Sequence, residues 1–190
     1  MTASYLEFYK FQVSSTSEYI SISISPPGWT NLFSHNTTGG LFYGSMNNAL
    51  WKNLDSPSSL LFSVLFHLED LRRPDGSFLL RICYPELQVG EALPCNEWSQ
   101  TSNPATDPFI SDFRAVRLQF PENSYRERWG GLGVSPASGA DTFVDDTPDR
   151  SRWWFTVAAS SYYPRGNTEA TIPGPYGKSV KKVEMYAFSE

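Results

Sequence analysis

The sequence predicts a mostly β domain, an antiparallel β-sandwich with one helix packed on it. Three observations lead there. Hydrophobic residues make up 40% of the 190 and aromatic residues 15%, while charged residues reach only 18%, against about 25% in ordinary soluble domains. Several segments alternate apolar and polar side chains with the period of two that puts one face of a strand inward. Gly-, Pro- and Ser-rich turns separate these segments at short intervals. At this length a single domain, residues 1–190, buries most of its apolar surface unaided, and no linker or repeat divides it.

The elements follow in order. Residues 5–13, YLEFYKFQV, and 18–25, EYISISIS, read as half-buried strands, with Ile20, Ile22 and Ile24 on the core side, closed by Pro26, Pro27 and Gly28. Residues 29–55 are turn-rich. Leu60, Val64, Leu68 and Leu71, flanked by Leu61 and Leu65, recur at helical spacing, with serines before them and Arg72, Arg73 and Pro74 behind. This pattern predicts a helix over residues 57–72. After the Asp75-Gly76 turn, SFLLRICY is a strand. ISDFRAVRLQF is another, with Phe113, Val116 and Leu118 as expected core residues and a bulge near Ala115. WWFTVAAS reads as a strand, TIPGPYG as a rigid turn and SVKKVEMYAF as the closing strand.

Charge and hydropathy exclude two partner classes. A net charge of −5 with scattered basic residues leaves no phosphate-tracking footprint, so nucleic acid is not an expected partner. No run approaches the roughly 18 apolar residues of a spanning helix, so no membrane insertion is expected. The start, MTASYLEFYKF, shows no signal peptide, which leaves either an intracellular protein or, as the composition favours, a secreted or extracellular module of a longer chain.

Cys83 and Cys95 enclose eleven residues; paired, they would stabilise by roughly 3 kcal/mol, and unpaired they would be buried thiols. Asn36-Thr37-Thr38 is an acceptor triplet for N-glycosylation if the chain is secreted.

Three segments are dense in recognition chemistry. In CNEWSQTSNP, Trp98 offers an indole face to stack on a sugar, with Gln100, Ser102 and Asn103 to bond its hydroxyls. The alternative is a self-satisfying corner in which Asn103-Pro104 turns the chain and Trp98 is a buried anchor. In RERWGGLG, the glycines strip side chains from around Trp129 so that a ligand can approach it, and Arg126 and Arg128 stand beside it; a Gly-rich turn with Trp129 packed inward is the alternative. In DTFVDDTPD, Asp141, Asp145, Asp146 and Asp149 supply oxygen ligands for Ca²⁺, unless Arg150 and Arg152 pair with them. Catalytic signatures are missing; a glycosidase would need two carboxylates, for which Glu97 with Asp145 or Asp146 is the available set.

The order CNEWSQTSNP, WGGLGVSPAS, VDDTP, WWFTVAA, IPGP and VKKVEMY resembles an extracellular module of multidomain marine-invertebrate proteins, including matrix, adhesion and receptor-like chains. The resemblance spans roughly residues 40–188 and is carried best by WSQTSNP and by IPGP with VKKVEMY. In outline the carboxy-terminal half also resembles fibrinogen-like lectin domains, though their cysteine framework and calcium-loop pattern are not matched. The module resemblance implies recognition or adhesion and transfers no catalytic residue. The expected function is an extracellular, lectin-like carbohydrate-binding module, with a protein-binding or matrix-structural module and a glycoside hydrolase as alternatives.

Overall fold

The computed structural model describes residues 28–42, 49–88, 90, 93–122, 128–135, 143–146, 154–159 and 169–189. The strands expected at 5–13 and 18–25 lie outside these residues. Among them the protein is mostly β. Six strands form an antiparallel sheet: β1 (Gly28–Asn36), β2 (Leu61–Ser63), β3 (Phe78–Cys83), β4 (Cys95–Gln100), β5 (Arg114–Leu118) and, last in the chain, β10 (Lys182–Ser189). The spatial order is β2-β1-β10-β3-β4-β5, so the closing strand lies between β1 and β3.

Alternation sets the two faces. In β3 Phe78, Leu80 and Ile82 are buried while Leu79 and Arg81 are half-buried; in β10 Val183, Met185 and Ala187 are buried between half-buried neighbours. The cross-strand pairs Met185–Ile82–Asn96 and Ala187–Leu80–Trp98 form the inner rows. Asn31, Tyr186, Arg81, Glu97 and Arg117 form a polar outer row.

The inner face is covered by short pieces. These are the two-residue strands β6 (Gly133–Val134) and β7 (Val144–Asp145), which pair with each other, and β8 (Ile172–Pro173) and β9 (Ser179–Val180), which do the same. Residues 154–159 add a buried, irregular run. Leu132, Val134, Val144, Phe155, Val157, Ile172 and Val180 belong to one core with the sheet residues. A second continuous sheet is not among the described residues.

Four sequence expectations change. The helix predicted over 57–72 is a 3-10 helix over Leu65–Leu71 only. Ahead of it, Leu61–Ser63 is β2, which pairs with Phe33–His35 of β1, and the Ser63 hydroxyl donates to the Ala49 carbonyl at 2.5 Å. A run as apolar as LLFSVLF satisfies strand and helix periods alike, and pairing with β1 decided the first half. The segment after residue 28, read as turn-rich, opens with the nine-residue strand β1. Val116 is not core: Trp98 pairs with Ala115 and Glu97 with Arg117, so Val116 is the unpaired bulge residue and is 61% exposed. Finally, the described part of WWFTVAAS is not a strand. Phe155 and Ala158 take φ of 53° and 58°, which interrupts an extended run and leaves a single bridge between Val157 and Val144.

Cys83 and Cys95 face each other across β3 and β4, with Cα atoms 4.1 Å apart, and are joined by a disulfide. No helix among the described residues is long and apolar enough to cross a membrane.

Candidate recognition surface

The polar stretch CNEWSQ is the strand β4, one from the sheet edge, with Asn96, Trp98 and Gln100 fully buried. A strand so polar is stable inside because each polar group is bonded. Asn96 Nδ2 donates to the Phe120 carbonyl and Asn96 Oδ1 accepts from the Phe120 N–H, both at 2.8 Å. Gln100 uses both ends of its amide: Oε1 accepts from Trp98 Nε1 at 2.7 Å and from the Leu132 N–H at 3.2 Å. Its Nε2 donates to the carbonyls of Ser102 and Leu132, each at 2.9 Å.

Ser102 and Asn103 continue the same logic beyond the strand. The Ser102 hydroxyl accepts from the Ser111 N–H at 3.1 Å. Asn103 Oδ1 accepts from the Ala105 N–H at 2.9 Å, and Asn103 Nδ2 donates to Glu69 at 3.0 Å. Two bonds from Arg72 and one from Asn103 hold the Glu69 carboxyl below the usual range, the Arg72 hydrogen bonds contributing most.

Trp98 and Trp129 therefore do not form an exposed platform. Their rings pack edge to face with centroids 4.7 Å apart, and the Phe155 ring lies 5.3 Å from that of Trp129. Both indoles are sealed. The glycines beside Trp129 serve this packing: Gly131 has φ of 106°, and a Cβ there would lie 2.8 Å from Gln100 Oε1. The bare backbone makes room for a buried amide, not for a ligand. Arg128 is exposed, and its backbone forms an isolated antiparallel β-bridge with Glu122; Arg126 lies outside the described residues.

The aspartates are divided. Asp145 and Asp146 are buried at and just after β7, and both interact with their surroundings. Asp141 and Asp149 lie outside the described residues, among which no group of three metal-ligating side chains gathers. Glu97 lies on the face of β4 opposite Trp98, where Arg81 at 2.9 Å and Arg117 at 2.7 Å both reach its Oε1. That carboxylate is thus engaged in a pair of ion pairs on the outer face of the sheet.

The exposed ring chemistry lies elsewhere, where the sequence did not single it out. Trp51 is 50% exposed and Phe66, on the 3-10 helix, is 37% exposed; their centroids are 5.8 Å apart at 70°, an open aromatic corner. The His67 ring packs on Phe66 at 3.7 Å, and its Nδ1 lies 2.9 Å from the Asp70 carboxylate. Lys52 bridges to Ser63 and so fixes the backbone beside Trp51 to β2. A signal was present: Trp51 is an indole in the polar context NNALWKNLD, and Phe66 falls outside the Leu60, Val64, Leu68 register. Comparison with protein-family models, with curated proteins and with solved structures finds no match for the chain.

Proposed function

We propose that the chain is a secreted recognition module that takes a carbohydrate against the Trp51–Phe66 corner. The observation that carries this reading is an edge-to-face aromatic pair left open to solvent while the other described indoles are half-buried or sealed. An exposed indole face suits the apolar face of a sugar ring. The exposed carboxylate of Asp70, which holds the His67 ring beside Phe66, is the polar group that would bond its hydroxyls. The charge-poor, aromatic-rich composition, the disulfide and the module resemblance support an extracellular setting.

A glycan array probed with the wild type and with Trp51→Ala, each with calcium and with chelator, tests the proposal. Expected is binding that Trp51→Ala weakens about tenfold or more, the order of one aromatic hot spot. No binding above background in either condition would reject it.

A second reading, a protein-binding or matrix-structural module, is favoured by a different observation. The edge strand β5 leaves Val116 exposed, and Phe109, a few residues before it, is 74% exposed. Among the described residues β5 ends the sheet, and such an edge beside apolar side chains suits an extended polypeptide. An empty glycan array together with matrix-protein binding lost on Val116→Lys would favour this reading.

A further inference from the structure

We propose that Asn36 is N-glycosylated, an inference that rests on the secreted reading of the chain and goes beyond its ligand. No other asparagine in the sequence is followed at the second position by Ser or Thr, so the acceptor triplet Asn36-Thr37-Thr38 stands alone. Its middle residue is not proline, and neither is Gly39 after it.

The fold places this triplet where a bulky oligosaccharide is tolerated. Asn36 is the last residue of β1 and is partly exposed, while Thr38 and Gly39 beyond it are exposed. The turn itself is anchored without the Asn36 amide nitrogen. The Thr37 N–H donates to the Lys181 carbonyl at 2.9 Å, and the Gly40 N–H to the Thr37 carbonyl at 3.0 Å. His35 Nε2, buried beneath, lies 3.0 Å from the Gly40 carbonyl.

Among the described residues, the hydrogen bonds of the Asn36 side chain run through Oδ1. Its Oδ1 accepts from the Thr38 N–H at 3.0 Å and from the Thr38 hydroxyl at 2.8 Å, and Nδ2 takes part in neither bond. Transfer needs Nδ2 alone. The amide nitrogen displaces the lipid pyrophosphate from C1 of a lipid-linked oligosaccharide: the C1–Nδ2 bond forms, the C1–O bond to the lipid pyrophosphate breaks, and one amide proton leaves. The Oδ1 acceptor is untouched, so both bonds to Thr38 survive in the modified protein.

The attached sugar would lie at the open side of the sheet. The Asn36 N–H donates to the Leu60 carbonyl at 2.7 Å, and Leu60, 47% exposed, leads directly into the edge strand β2. A glycan there shields this apolar side chain.

The test is secretion of the full chain behind a cleavable leader in a eukaryotic host, followed by peptide mass analysis. The wild type and Thr37→Ala are expected to carry an oligosaccharide on the Asn36 peptide, released by peptide-N-glycosidase with conversion of Asn36 to aspartate. Thr38→Ala and Asn36→Gln are expected to lose it. Transfer precedes folding, so cell-retained chain is scored in the same way, and a poorly folding variant still reports. An unmodified Asn36 in wild-type chain that has entered the secretory lumen and formed its disulfide would overturn the proposal, as would a glycan that persists in Thr38→Ala. The readout is a covalent mass at residue 36, so it stands or falls apart from ligand binding at Trp51.

Discussion

Gln100 shows how a residue that suggests a binding site can be structural. Its amide bonds Trp98 and Leu132 through Oε1, and Ser102 and Leu132 through Nε2, in a place without solvent. Replacing it by leucine keeps much of the volume but leaves the Trp98 indole N–H and the Leu132 backbone unpaired. We predict a loss of about 3 kcal/mol, measured by urea denaturation. His35 makes the opposite point, because its Nδ1 has no hydrogen-bond partner among the described residues. It is buried between Phe33 and Phe42, and burial, offset in part by the Gly40 carbonyl, brings its pKa down from 6.5 to about 4. The unfolded chain therefore binds the proton more readily than the folded one. Above pH 6.5 the imidazole is neutral in both states and nothing is lost; as pH falls from 6.5 to about 4, stability falls by roughly 3 kcal/mol. Stability against urea across this interval, with the His35 imidazole followed by NMR, checks the sign. A ring that titrates near its ordinary value would refute it.

At the scale of elements, legibility followed how much of the information was local. β3 and β10 were readable because FLLRIC and VEMYAF alternate or run apolar between clear turns, and both lie inside the sheet. The 57–72 segment was not, because its strand half exists only through pairing with β1, a contact between residues distant in sequence. The 154–159 run was not either, since nothing in WFTVAA announces positive φ at Phe155 and Ala158. β5 was found, but the bulge that turns Val116 outward depends on the register of β4. Val116→Ser is accordingly predicted to change stability by no more than about 0.5 kcal/mol, whereas Leu80→Ala, in the same sheet but sealed, should cost about 2–5 kcal/mol. Chemical denaturation of the two variants compares them directly; equal losses would contradict the register. The disulfide joins strands already paired along their length, so its effect falls mainly on the unfolded chain. Reduction should lower stability by about 3 kcal/mol without changing the far-UV CD of the folded protein.

Across the whole molecule, chemistry and exposure are inverted relative to what residue types suggest. The segments richest in indole, amide and glycine, around Trp98 and Trp129, form the core against which the inner face of the sheet closes. Amide groups and indole rings are good core material where, as at Asn96, Trp98 and Gln100, their polar atoms are bonded, so composition alone does not separate a core network from a sugar platform. The exposed aromatic corner at Trp51 and Phe66 sits beside the sheet edge instead, carried by a turn and a short 3-10 helix. A surface side chain of this kind can be removed at little cost in stability, while a ligand that rests on it cannot do without it. Isothermal titration of wild type and Trp51→Ala with the best array-selected oligosaccharide therefore tests the account most directly, with thermal unfolding recorded on the same samples. The account predicts affinity weakened tenfold or more at an unchanged melting temperature; undiminished affinity in a folded Trp51→Ala protein would contradict it.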